Sequence, residues 1–84
     1  MERQYRRYIV GWLVCNLPSF SLCSGSVALN RYVQDFISQY PRNIIEAKTS
    51  REAMDWFDLL DKKDGSHAFI WDKARRSIYL WKTL

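Results

Sequence analysis

The sequence is poor in the residues that build small reactive sites. Its 84 residues include two cysteines, one histidine, three glycines and two prolines. Cys15 and Cys23 have no companion cluster of Cys or His at zinc-ligand spacing, so no metal is expected. The glycines stand at 11, 25 and 65, too far apart to form a loop that cradles a phosphate. No cofactor is expected either. His67 stands beside a turn with no Ser or Cys identifiable as its partner, and the reading is therefore of a protein that is not an enzyme.

Long apolar runs are also missing. The stretch YIVGWLVC is too short to span a bilayer, and no small-residue cleavage site of the signal-peptide type follows it. It reads as a strand, and the protein as cytoplasmic with no membrane partner. If residues 7–15 and 19–23 form a hairpin, the sulfurs of Cys15 and Cys23 become neighbours. A disulfide in an oxidising compartment and free buried thiols in a reducing one are the alternatives.

Rings and cations are what the chain has in quantity. Aromatic residues make up 15% of it, hydrophobic residues 48% and charged residues 26%, a balance that argues for a folded domain whose burial relies on rings. At this length one domain is expected, with about a third or more of the unfolded surface still exposed after folding. The net charge of +4 favours anionic partners only mildly.

Apolar side chains occupy both parities of RYIVGWLVC, residues 7–15, which places this strand near the sheet centre. Gly11 within it marks a bulge or the close approach of a ring, with Trp12 or a helix above as the expected neighbour. FSLC, residues 20–23, reads as a short returning strand or an ordered loop. After the turn and cap residues Ser24, Gly25 and Ser26, helical spacing of Leu29, Tyr32, Val33, Phe36, Ile37 and Tyr40 predicts a helix that Pro41 ends. NIIEA, residues 43–47, is a short edge strand. Thr49 and Glu52 have capping-box spacing and open a second helix, whose apolar side is Ala53, Met54, Trp56, Phe57, Leu59 and Leu60. Lys62 and Lys63 suit its end before Asp64 and Gly65 break it. HAFIW and IYLWKTL then form a closing hairpin. The expected fold is α+β: a small mixed sheet of four or five strands, ordered β(β)αβαββ, with two helices packed on one face.

Strict alternation along the closing hairpin puts Ala68, Ile70, Ile78 and Leu80 under the helices and Phe69, Trp71, Tyr79 and Trp81 on the other side. With Tyr8 and Trp12, those rings make a candidate partner interface. Covering by the chain itself is the alternative. Arg6, Arg7, Lys73, Arg75 and Arg76 form a basic rim, interleaved with Tyr5 and Tyr8 and flanked by Trp71 and Tyr79. Cations that follow phosphates beside rings that stack on bases are the chemistry of single-strand binding, although charged tips also keep a sheet from pairing edge to edge. Glu52, Asp55, Asp58 and Asp61 recur every three residues as an acidic ridge on the second helix, either solvated or a docking strip for a basic partner.

The function expected from these surfaces is that of a non-catalytic binding module which docks on or occludes a macromolecular partner. Small inhibitors and regulators of nucleic-acid-handling complexes, of the type carried by phages and mobile elements, have this physical profile. The partner is then another protein, including a second copy of the chain. Direct binding of RNA or single-stranded DNA through the basic and aromatic surface is the alternative.

Overall fold

The computed structural model describes residues 5–13, 27–61 and 67–81. The elements are β1 (Tyr8–Leu13), α1 (Val27–Gln39), a 3-10 turn (Pro41–Asn43), β2 (Ile44–Ala47), α2 (Ser50–Asp61), β3 (His67–Asp72) and β4 (Ser77–Trp81). The α+β class with two helices and a four-stranded sheet is the one expected. The proposed strand at 20–23, the cysteine pair, the cap residues 24–26 and the basic end of the second helix at 62–65 lie outside the described residues.

The strands run in the order β2-β1-β3-β4, and every neighbouring pair is antiparallel, so the sheet is not the mixed one expected. β2 and β3 both run against β1 and therefore point the same way. The helix that joins them, α2, crosses β1, which makes a split βαβ unit. β1 is central and β2 is an edge, as their apolar patterns imply. No helix among the described residues is long and apolar enough to cross a membrane.

The two helices do not share a face. Ala53 and Phe57 of α2 pack with Tyr8, Val10, Ala47, Ala68 and Ile70 on one side of the sheet. Leu29, Val33 and Phe36 of α1 pack with Ile9, Leu13, Phe69 and Trp71 on the other. β1 and β3 are apolar on both parities, so both sheet faces must be covered, and each helix has only one apolar stripe to offer. One helix per face is the arrangement that buries both. Met54 and Leu59, counted with the apolar side of α2, are exposed instead.

Local chemistry sets the element ends. Tyr40 N donates to Phe36 O at 2.9 Å as the last bond of α1, and Pro41 cannot continue the series. At the start of α2, Glu52 N donates to Thr49 Oγ1 at 3.1 Å and the Glu52 carboxylate takes Lys48 N at 3.3 Å. This is a capping box reaching one residue beyond the cap. Gly11 is required by Phe69, not by Trp12 or a helix: a Cβ at position 11 would stand 2.5 Å from Phe69 Cε2 and 2.9 Å from Cε1. The tip of the ring occupies the space a side chain would need.

The β3/β4 pairing contains a bulge. Ile70 faces Leu80 and Trp71 faces Ile78, which leaves Tyr79 as an extra residue. Strict alternation is therefore broken at that point. Ile78 and Trp81 join Phe69 and Trp71 beneath α1, whereas Leu80 joins Ile70 on the α2 side. Ile78 N donates to Asn30 Oδ1 of α1 at 3.1 Å, which ties the helix to this edge strand.

Candidate functional site

The aromatic face is core. Phe69 is 0% exposed and Trp71 5%, with Phe69 held edge-on by Phe36 at 5.7 Å and stacked near Trp81 at 6.0 Å. Trp81 is half-buried in the same cluster. Tyr8 is buried on the opposite sheet face, and Trp12 is half-buried, its carbonyl accepting Asn43 Nδ2 at 3.5 Å. The six candidate interface rings thus fall on two faces and do not form one surface. Tyr79 is the exception, 47% exposed. α1 covers Phe69, Trp71 and Trp81, so the chain itself buries these rings.

The acidic ridge is divided as well. Glu52 is engaged with Lys48 N, and Asp61 Oδ1 accepts Ala68 N at 3.2 Å at the entry to β3. Asp55 and Asp58 remain exposed between them. Two of the four carboxylates are thus parts of helix and strand ends.

The basic residues, by contrast, converge. Tyr8 pairs with Ala47 on one side and Asp72 on the other, so the start of β1, the end of β2 and the β3/β4 turn meet at one end of the sheet. Lys73 N donates to Arg7 O at 2.9 Å and extends the ladder past that row. Arg6 and Arg7 from the β1 approach therefore stand beside Lys73, Arg75 and Arg76 from the turn, joining two clusters separated by more than 60 positions in the chain. Lys48, directly after β2, and Arg51, in the first turn of α2, enter at the same end, although neither stood out in the sequence.

Asp72 organises this end. It is 2% exposed, and its carboxylate takes Arg7 Nε at 3.0 Å and Nη2 at 2.9 Å in a two-point pair. Its Oδ1 also accepts Ala74 N at 3.0 Å and Arg75 N at 3.3 Å, which closes the turn. The Arg7 guanidinium, helped by those two amides, holds the Asp72 carboxyl below the usual carboxylate range against the opposing effect of burial. Asp72 in turn raises the pKa of Arg7. Lys73 Nζ binds Glu46 Oε1 at 3.0 Å and lies 5.8 Å from the Tyr5 ring centre, and Arg6 Nη1 reaches Glu46 O at 3.5 Å. Arg75 stays largely free in solvent, its side chain 76% exposed and 4.0 Å from Asp72. Arg76 adopts the left-handed backbone, φ 50°, that turns the hairpin back into β4.

Among the described residues, seven cations therefore share this end with three carboxylates, Glu46, Glu52 and Asp72, each of which already has a partner within the chain. The end carries a fixed excess of positive charge. His67 lies at the opposite end of β3, beside Leu13. Asp72 was the residue to find in the sequence, because an aspartate opening a hairpin turn is a known turn former. No family model, no curated protein and no solved structure matches the chain.

Proposed function

We propose that this chain is a non-catalytic, cytoplasmic binding module that grips the phosphate backbone of a nucleic acid with the basic end of its sheet. The observation that supports the reading is the convergence of Arg6, Arg7, Lys48, Arg51, Lys73, Arg75 and Arg76, with Glu46, Glu52 and Asp72, the nearby carboxylates among the described residues, already engaged. A polyanion that arrives there meets cations on a rigid frame. Arg7 and the turn are fixed by Asp72, so little ordering is needed on binding, whereas Arg6 and Arg75 are exposed enough to follow a backbone.

The competing reading, an inhibitor docked on a nucleic-acid-handling protein complex, has less surface to work with. The aromatic face lies in the core and the acidic ridge is half used by local bonds.

A labelled oligonucleotide titrated at two salt concentrations tests the proposal. Binding should weaken steeply as salt rises, since each phosphate contact displaces counterions. Arg6→Ala with Arg75→Ala should weaken binding of all sequences alike and flatten the slope of log K against log salt by about 0.7 to 0.9 per lost contact. Absence of binding at low salt, or binding indifferent to salt, contradicts the proposal.

A further inference from the structure

The bulge at Tyr79 sets one extra residue at the edge of the sheet. Once Leu80 has returned to register opposite Ile70, the extra residue serves only to turn the chain, and a small polar side chain would do that as well. The position instead holds a ring that stands 47% exposed. α2 lies over β1, β2 and β3, and Tyr79 stands on the neighbouring edge strand, β4. The ring is nonetheless fixed, because Tyr8, itself buried, backs it with ring centres 5.2 Å apart and planes at 48°.

Tyr79 is also joined to the basic end. Arg7 lies 5.4 Å from the centre of the Tyr8 ring, and Arg7 and Arg75 both approach Asp72. A continuous path of contacts thus runs from the turn cations through Arg7 and Tyr8 to an exposed, supported ring. We infer that this end binds single-stranded nucleic acid, with an unpaired base stacked on Tyr79 while the neighbouring arginines hold the phosphates. The inference rests on the proposed backbone grip and adds to it a strand type. A duplex keeps its base faces inside the stack and has nothing to lay on an isolated ring, whereas a single strand offers a flat face at every nucleotide. RNA and DNA present the same faces and phosphates, and both are included in the test.

The test compares wild type, Tyr79→Ala and Tyr79→Phe against a single-stranded RNA, the same sequence as single-stranded DNA, and a DNA duplex, with thermal melting as the check on folding. Tyr79→Ala should weaken binding of the single strands by about 5- to 150-fold, the range for loss of one stacked base. Its salt slope and its affinity for duplex should match wild type. Tyr79→Phe should bind as wild type does, because the flat face and not the hydroxyl makes the contact. If Tyr79→Ala binds single strands as tightly as wild type, or wild type prefers duplex, the stacking inference is overturned and the backbone grip stands. If neither strand type binds at low salt, both readings fall together.

Discussion

A single methyl group placed on Gly11 is expected to destabilise the fold by about 1–3 kcal/mol, the range for overpacking a filled core. In a domain of this size that lowers the melting temperature by roughly 4–8 °C for each kcal/mol. The sign is the informative part. Glycine in a strand is usually a weakness, so alanine at an open position would be neutral or stabilising. Here the new Cβ would meet the Phe69 ring, 2.5 Å from Cε2, and Phe69 is closed in by Phe36 and Trp81. The ring has nowhere to retreat. Phe69→Leu should recover part of the loss in the Gly11→Ala background, with a coupling of about 0.5–3 kcal/mol between the two positions. Gly11→Ala melting with wild type, and no coupling to Phe69, would remove the ring from above the glycine.

Asp72→Ala should destabilise the fold by about 1–2 kcal/mol, because it removes the acceptor of the Ala74 and Arg75 amides and the two-point partner of the half-exposed Arg7, all of which water can partly replace. Asp72→Asn should cost less, since an amide oxygen can still accept from the turn. The pH dependence follows from the depressed pKa. The folded carboxyl binds a proton less readily than the unfolded one, so its contribution is fully present above the unfolded carboxylate range. It is lost as pH falls through the lower folded value. Urea melts of wild type and Asp72→Asn should therefore differ at neutral pH and converge in acid. A difference that persists unchanged to the lowest pH would mean that the charge of Asp72 plays no part.

The helical periods of α1 and α2, the stop at Pro41 and the capping box at Thr49 were all legible in the sequence, because each depends on residues within a turn or two of one another. The assignment of helices to faces was not. Both parities of YIVGWL are apolar, which says that the strand is covered twice but not by what. The aromatic parity of Phe69 and Trp71 suggested a surface, when the same parity in β1, Ile9 and Leu13, already marked that side as core. Tyr79 was misplaced for a different reason. A bulge shifts register by one residue, and nothing in SIYLW marks where the extra residue falls. The basic rim was visible as two separate clusters, and only the β1/β3 pairing, through Tyr8 and Asp72, could reveal that they are one. Lys48 and Arg51 joined it through the β2 register in the same way.

The proposed site of function is the cationic end of the sheet and not its aromatic face. Amide chemical shifts of the nitrogen-labelled protein, followed while a single-stranded oligonucleotide is added, test it most directly. The account predicts perturbations centred on residues 5–8, 48–51 and 72–79, with the outer side of α1 and the Leu13/His67 end unchanged. Perturbations centred on α1, or on the exposed Asp55 and Asp58 of α2, would contradict it.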